Sequence, residues 1–159
     1  MIGNDIVDLT LAKKESNWKR SGYLDKIFTK KEQLLISKAK NPEVMVWNLW
    51  SRKEAAYKIV NRQTGIRTFI PLKLECLNVY SEIGKVICMG NIYFTKTEIT
   101  DLYIHTIAVL KMGDFDKISV LDHTTEIKKL SGVPYILSNN GIVTISHHGM
   151  FQQMLTLSI

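Results

Sequence analysis

The sequence predicts an α+β fold in a single domain. Residues 9–62 carry helical patterns with recognisable caps, residues 72–110 are rich in β-branched and aromatic residues, and no Pro-, Gly- or Ser-rich linker separates the two parts. Helices first and an antiparallel sheet afterwards are typical of this class. Because 159 residues are enough to bury one core without disulfides, we expect residues 1–159 to form one domain.

The first elements are predicted to be one strand and several short helices. Residues 2–9 are rich in Ile and Val and are interpreted as a short buried strand, and residues 11–27 as one or two short helices. The stretch from Thr29 to Glu32 has the form of a capping box, in which a side chain and a backbone N–H bond reciprocally. It predicts a helix that runs to about Lys40.

A longer helix and then strands are expected to follow. Asn41 and Pro42 supply an N-cap and a first-turn proline for a helix that reaches about Arg62. Its apolar side is formed by Val44, Trp47, Trp50, Ala55, Ile59 and Val60. We expect strands at residues 72–80, 85–89, 91–97, 102–110, 142–146 and 152–159, turns at residues 82–84, 90–91 and 139–141, and a short helix near residues 124–130.

Composition and charge narrow the functional classes. The chain is 45% hydrophobic and 23% charged, as soluble globular proteins are, and it contains no apolar run of the ~20 residues that would span a bilayer. The net charge of +6 predicts an anionic partner. Cys76 and Cys88 lack metal-ligand spacing. We expect the two cysteines to be reduced and the protein to be cytoplasmic. The alternative for the cysteines is a disulfide between neighbouring strands. No secretion signal is visible.

Asp5 and Asp8 stand out because they are carboxylates inside an apolar strand. A buried charge is costly unless it is paired or bound to a cation. On the structural interpretation, Asp5 caps a turn and Asp8 lies on a solvated face. On the functional interpretation, the strand contributes a carboxylate to a cation site.

Residues 50–58 (WSRKEAAYK) place one carboxylate among cations within a helix that also carries core-type residues. Glu54 and Lys58 have the i,i+4 spacing that stabilises exposed helices by a few tenths of a kcal/mol. On the functional interpretation, Glu54 is a metal ligand and proton acceptor, and Lys58 faces a phosphate or leaving-group oxygen. Arg52 and Lys53 would then add positive potential.

Residues 145–149 (ISHHG) form a third cluster, which offers a hydroxyl, imidazoles and backbone amides to an anion. The alternative is a polar turn between the last two strands. A nucleophilic pair is not expected, because Ser146 and His147 are adjacent and point to opposite faces of a strand. The isolated His105 is expected to be structural.

Together these segments resemble motifs of the 4′-phosphopantetheinyl transferase superfamily. Residues 3–8 (GNDIVD) are similar to its G-x-D-I-[VE]-[ED] strand and residues 28–32 (FTKKE) to its F-[TS]-x-x-E helix start. Residues 50–58 match W-[SA]-x-K-E-A-x-x-K at every fixed position. Residues 132–136 (GVPYI) with 145–149 are similar to its G-x-P…S-H element. The motif order follows the short, single-lobe holo-acyl-carrier-protein synthases.

The resemblance implies a ferredoxin-like lobe with helices packed on an antiparallel sheet. It also implies Mg²⁺-dependent transfer of phosphopantetheine from coenzyme A to a serine of an acyl or peptidyl carrier protein, as in fatty acid biosynthesis, with release of 3′,5′-ADP. The expected partners include neither nucleic acid nor a membrane. By motif position the metal ligands are Asp5 and Glu54, the catalytic residues are Glu54 and Lys58, and the coenzyme A contacts are Arg52, Lys53, Ser146 and His147.

Val7 departs from the pattern, because two-lobe members carry a third acidic ligand at this position. We expect water to take its place. Asp8 follows Val7 in the sequence, but one step along a strand points its side chain to the opposite face.

The motif order also implies a site shared between subunits. Two-lobe relatives carry the Ser-His element on their first lobe and the Asp and Lys-Glu-Ala elements on their second. We therefore expect Ser146 and His147 of one subunit to face Asp5 and Glu54 of its neighbour in a homo-oligomer, by resemblance a trimer.

Two other functional classes stay open on the sequence alone. A non-catalytic RNA- or phosphate-binding module would use the same basic charge and would need exposed aromatic residues beside cations. Tyr93 and Phe94 beside Lys96, with Tyr103 in the next strand, are the candidates. A degenerate transferase-fold partner protein is the other class, and it has no evident need for intact Asp5, Glu54 and Lys58.

Overall fold

The computed structural model describes residues 1–158 and confirms the α+β class. Two 3₁₀ turns, Pro71–Lys73 and Met112–Lys117, join the main elements. In chain order the strands and helices are β1 (Ile2–Asp8), α1 (Leu9–Glu15), α2 (Tyr23–Ile27), α3 (Lys30–Lys38), α4 (Pro42–Thr64), β2 (Leu74–Leu77), β3 (Ile83–Cys88), β4 (Asn91–Ile99), β5 (Tyr103–Val109), β6 (Ile118–Val120), β7 (Ile127–Leu130), β8 (Val133–Ile136), β9 (Val143–His148) and β10 (Phe151–Leu157).

The main sheet has five antiparallel strands in the order β1-β5-β4-β3-β2. Helix α4 packs across one of its faces, as the helix-on-sheet expectation requires. The core between them consists of apolar side chains of the helix, including Val46, Leu49, Ala56, Ile59 and Val60, and of the strands, including Val86, Ile104 and Ala108. Burial of these side chains is the main favourable term in folding.

A smaller sheet, β6-β10-β9, packs beside β1 on the opposite face. Ile2, Val109 and Leu155 form the buried centre of this second core. Strand β1 therefore lies between two apolar layers, which explains its high Ile and Val content.

Side chains of β9 cover the free edge of β1. An edge strand carries backbone N–H groups that need partners when they are buried. Alternate side chains of β9 accept these N–H groups, which is the two-residue period of a strand. The donor and acceptor pairs are Asn4 N to Thr144 Oγ1 at 3.0 Å, Ile6 N to Ser146 Oγ at 2.9 Å, and Asp8 N to His148 Nδ1 at 2.9 Å.

The predicted helix caps are confirmed. Thr29 and Glu32 form a complete capping box at the start of α3. Asn41 accepts a hydrogen bond from Val44 N at 3.2 Å and Pro42 opens α4. Gly65 ends that helix in the left-handed conformation.

Two local predictions are wrong. The helix expected near residues 124–130 is absent from the described chain, where β7 and β8 form a hairpin instead. Ser131 and Gly132, with φ of 50° and 82°, make its turn, and such a turn matches the twist of paired strands. The turn expected at residues 82–84 is also wrong, because Ile83 and Gly84 belong to β3.

Other expectations have mixed outcomes. Cys76 and Cys88 are buried and free, which confirms the reduced pair, and no disulfide joins them. The last predicted strand is β10, and its expected end at Ile159 lies outside the described residues. Across residues 1–158, no helix combines the length and hydropathy that crossing a membrane would require.

Candidate active site

The site is built where β1 and α4 approach closely. A Cβ on Gly3 would stand 2.0 Å from the carbonyl oxygen of Ala55, so only glycine fits between strand and helix at this point. Ser51 Oγ donates to the backbone oxygen of Asp5 at 3.3 Å. Gly3, Asp5 and Val7 consequently face α4, and the side chain of Asp5 reaches the part of the helix that carries Glu54.

A cleft of about 600 Å³, here called the carboxylate cleft, opens at this point. This volume lies within the range of small-molecule sites. Its polar lining includes five predicted site residues, which are Asp5, Glu54, Lys58, Ser146 and His147. Its apolar and aromatic lining includes Val7, Ala12, Tyr23, Trp47 and Trp50.

Asp5 and Glu54 are held in an environment that disfavours their charge. Burial raises the pKa of Asp5 to about 6, against the opposing effect of Lys58. Burial and the neighbouring charge of Asp5 raise the pKa of Glu54 to about 7, again opposed by Lys58. Ser146 Oγ lies 3.3 Å from Asp5 Oδ1, whereas the buried Oδ2 of Asp5 has no partner. A bound cation would favour the charged forms of both carboxylates.

Lys58 joins the two strands beneath the cleft. Its ammonium donates to the backbone oxygen of Asn4 at 2.5 Å and to that of Ile145 at 3.0 Å. An ammonium has three N–H groups, so one remains for a ligand. Burial lowers the pKa of Lys58, although the nearby Asp5 and Glu54 raise it.

The donor set fits a magnesium ion that retains other ligands. No group of three or more His, Cys, Asp and Glu side chains is close enough to hold a metal within residues 1–158. Two carboxylates, one with an unpartnered buried oxygen, suit Mg²⁺, which prefers oxygen and usually keeps water and substrate phosphates as ligands. Asp5 and Glu54 are the residues that would hold it. Val7 is buried at the position of the third acidic ligand.

Asp8 and His148 have structural roles. Asp8 Oδ2 accepts from Met150 N at 3.0 Å and Oδ1 accepts from Leu11 N at 3.1 Å, and these two hydrogen bonds lower the pKa of Asp8. Val7 lines the carboxylate cleft and Asp8 does not, as expected for neighbours that point to opposite faces of a strand. His148 accepts from the backbone N–H of Asp8 and lies 3.6 Å from Glu15 Oε2.

The prediction that Arg52 and Lys53 contact coenzyme A is wrong for this structure. Arg52 is buried and its guanidinium donates to Asn48 Oδ1, Thr95 Oγ1 and the backbone oxygen of Ser81. Lys53 is also buried and pairs with Glu32 at 2.6 Å. Their Cα atoms flank the site, but helical geometry turns both side chains into the core.

The structure brings Ser146 to Asp5 within one chain, and the expectation of a site shared between subunits stays a prediction. Ser146 lies beside Asp5 of its own chain, and His147 lines the same cleft as Glu54 of its own chain. Strand β9 is brought there by its side-chain bonds to the edge of β1. Because these contacts join residues about 140 positions apart, the motif order along the chain could not reveal them. The expected trimer stays a prediction.

A second cleft of about 340 Å³, here called the basic cleft, was missed by the sequence analysis. It shares Lys58 and Ile145 with the carboxylate cleft. Its cations are Lys58, Arg62, Arg67 and Lys129, and Gly132 and Pro134 of the β7–β8 hairpin complete its wall. The i,i+4 spacing of Lys58 and Arg62 was the available signal.

The sheet does not provide the aromatic platform that an RNA-binding module would use. Tyr93 is buried and its hydroxyl donates to Gln63 Oε1 at 2.9 Å. Phe94 packs against the second core. Tyr103 donates to Glu98 and lies 5.0 Å from the ring of Phe151. Bases stack on exposed aromatic faces, which Tyr93 and Phe94 do not offer.

Comparison with known families agrees with the geometry of the cleft. Residues 1–109, more than half of the chain, match the family model of the 4′-phosphopantetheinyl transferase superfamily. The chain belongs to this superfamily. The match contains Asp5, Glu54 and Lys58, whereas Ser146 and His147 lie beyond it.

Two curated relatives are similar to part of this superfamily member. Both are named holo-[acyl-carrier-protein] synthase, from Caldanaerobacter subterraneus subsp. tengcongensis and from Fusobacterium nucleatum subsp. nucleatum. Each is 36% identical over 84 residues, which is 53% of this chain. The matched region covers 62% of the first relative and 64% of the second.

Proposed function

We propose that this chain transfers 4′-phosphopantetheine from coenzyme A to a serine of an acyl or peptidyl carrier protein. The observation that carries the proposal is the convergence of Asp5, Glu54, Lys58, Ser146 and His147 on one cleft of a superfamily member. The buried free cysteines are typical of a reducing compartment, where we place the reaction.

In the proposed reaction the serine oxygen of the carrier attacks the phosphorus next to the pantetheine arm. A new P–O bond to serine forms, the P–O bond to the departing phosphate breaks, and 3′,5′-ADP leaves. Glu54 accepts the serine proton, directly or through a water. The free N–H of Lys58 stabilises the charge that develops on the departing phosphate oxygen. A bound Mg²⁺ would supply charge neutralisation on the diphosphate.

The basic cleft is the proposed binding site for the phosphorylated nucleotide part of coenzyme A. Its cations, Lys58, Arg62, Arg67 and Lys129, suit a ligand with several phosphate charges. Ser146 and His147 line the carboxylate cleft and would supply a hydroxyl and an imidazole to the phosphate chain. The net charge of +6 also suits an acidic carrier protein.

The proposal is tested by incubating the protein with coenzyme A, Mg²⁺ and a panel of apo carrier proteins. Mass spectrometry should show a gain that matches phosphopantetheine on at least one carrier. Glu54→Ala should abolish this gain, whereas Glu126→Ala, which changes an exposed carboxylate outside both clefts, should retain it. A folded wild-type protein that binds no coenzyme A would overturn the proposal.

A further inference from the structure

One polar group of the carboxylate cleft has no role in the proposed chemistry. Within residues 1–158, two buried side-chain polar atoms lack a hydrogen-bond partner, Asp5 Oδ2 and Trp47 Nε1. Both residues line the carboxylate cleft. The free oxygen of Asp5 suits a cation, but an indole N–H binds no metal. An unpartnered buried donor costs about 1–3 kcal/mol, so the N–H of Trp47 needs an acceptor that the chain itself does not provide.

The position of Trp47 along α4 restricts which part of a ligand it could meet. Trp47, Trp50, Glu54 and Lys58 follow one another at helical spacing and all line the cleft. Trp47 precedes Glu54 by seven residues, which corresponds to ~10 Å along the helix axis. A ligand whose phosphate lies between Glu54 and Lys58 would need a long extension to reach Trp47.

The surroundings of Trp47 restrict the chemistry of that extension. Trp50 lies one helical turn from Trp47, and Val7, Ala12 and Tyr23 are further uncharged side chains of the cleft lining. A charged acceptor would lose its hydration there without a counter-ion, whereas a neutral carbonyl needs only one donor. The pantetheine arm of coenzyme A follows its phosphate with a pantoyl unit, which carries two methyl groups and one hydroxyl, and with two amide groups in series. Its amide carbonyls are neutral acceptors at this kind of distance.

We propose that Trp47 Nε1 donates a hydrogen bond to an amide carbonyl of the pantetheine arm, which makes Trp47 a specificity residue for the arm. The proposal rests on the proposed function, because coenzyme A must occupy the cleft. The phosphate end of the ligand is then held by charge, and the arm by one neutral hydrogen bond within an apolar wall.

Trp47→Phe tests the inference because it removes the N–H and keeps most of the ring. Isothermal titration calorimetry in Mg²⁺ should show a dissociation constant for coenzyme A that rises about fivefold. The dissociation constant for 3′,5′-ADP, which lacks the arm, should stay unchanged. Because Trp47 is buried and Phe is smaller, the melting temperature of the free variant should fall, and the unchanged constant for 3′,5′-ADP shows that the cleft is still formed. Trp18→Phe, in a different surface groove, is the matched control and should leave both constants unchanged.

A fluorescence measurement gives a readout that does not need the Trp47 variant to fold. In the double variant Trp18→Phe, Trp50→Phe, the remaining tryptophan is Trp47. Coenzyme A should change its emission, and 3′,5′-ADP should not. Equal responses to both ligands, or equal affinity changes in Trp47→Phe, would overturn the inference. If the wild-type protein binds no coenzyme A, both the inference and the proposed function are overturned. If the protein modifies a carrier but Trp47→Phe changes the affinities for coenzyme A and 3′,5′-ADP equally, only the inference is overturned.

Discussion

At the residue scale, charges that are neighbours in sequence occupy different environments on α4. Arg52 and Lys53 point into the core, where Lys53 and Glu32 pair with no exposed side-chain surface. Glu54 and Lys58 line the cleft. Removal of one partner of a buried ion pair typically costs about 3–5 kcal/mol, so Lys53 is needed for the fold that presents Glu54.

Glu54→Gln should stabilise the metal-free protein. The substitution removes a buried carboxylate that repels Asp5, so the melting temperature in EDTA should rise relative to wild type. Added Mg²⁺ should raise the melting temperature of wild type and leave that of the variant unchanged. Glu126→Gln, at an exposed site, is the control for the change of charge. Equal stabilisation of wild type and Glu54→Gln by Mg²⁺ would contradict the assigned ligand.

Lys58→Ala should reduce both catalysis and stability. Two backbone oxygens lose a charged donor, so the free energy of unfolding should fall by about 1–3 kcal/mol. In the carrier assay kcat should fall more than the KM for coenzyme A rises, because the charge acts on the departing group. Lys58→Arg should rescue only part of kcat. A change confined to KM would reduce Lys58 to a phosphate anchor, and exposed Lys128→Ala should affect neither constant.

His105 should make stability depend on pH. Burial lowers its pKa from 6.5 to about 4 in the folded state, against the opposing effect of Glu98. Between these values the unfolded chain binds the proton more readily, so stability is complete above pH 6.5 and falls as the pH drops toward 4. Urea midpoints at several pH values should show this fall. It should be smaller in His105→Gln and unchanged in His123→Gln, which alters an exposed histidine.

At the scale of elements, the close packing of β1 on α4 positions the two carboxylates. Their Cα atoms lie on a strand and a helix that meet at Gly3 and Ala55. The same strand is held from its other edge by Thr144, Ser146 and His148. Strand β1 is therefore fixed on both sides, which gives Asp5 little freedom to move away from Glu54.

Gly3→Ala should separate these elements. The added Cβ would stand 2.0 Å from a backbone oxygen, so β1 or α4 must shift. Overpacking of this kind costs about 1–3 kcal/mol, and carrier modification should fall with it because Asp5 moves relative to Glu54. Circular dichroism melts and the mass assay measure both effects. Gly113→Ala is the matched control, since nothing lies within 4 Å of its added Cβ, and wild-type behaviour of Gly3→Ala would contradict the close approach.

At the scale of the whole molecule, one chain contains all the residues that the proposed reaction uses. The second sheet brings β9 to β1, so a polar hydroxyl–imidazole element from the C-terminal part reaches the carboxylates from the N-terminal part. The residues that a neighbouring subunit would add to this cleft stay a prediction. The oligomeric state is therefore a separate property, which light scattering would measure directly.

A mixing experiment distinguishes a single-chain site from a shared one. Glu54→Ala and His147→Ala should each be inactive, and a mixture of the two should stay inactive even after the subunits are exchanged. Each chain then carries one defect in its own cleft. Recovery of carrier modification in proven mixed oligomers would show instead that the cleft is completed between chains, as the motif order implies.

Much of the local structure could be predicted because short-range physics determines it. The capping box of α3 and the Asn41–Pro42 start of α4 depend on residues within one helical turn, and both are confirmed. The helix predicted near residues 124–130 is instead part of the β7–β8 hairpin, because seven residues carry too little periodicity to distinguish a helix from a strand. The sequence predicts a turn at Gly84, although this residue lies in β3, where the guanidinium of Arg52 leaves no room for a Cβ.

The sequence by itself determined the class of the fold, the caps of its helices and the family, because these depend on local pattern and on motifs. The structure decided which of the neighbouring charges reach the cleft, since only packing turns Arg52 and Lys53 inward and leaves Glu54 and Lys58 in the cleft. It also decided that Ser146 meets Asp5 within one chain, through hydrogen bonds between β9 and the edge of β1. Contacts between residues that are far apart in sequence follow from the global arrangement of layers, which motif order does not encode.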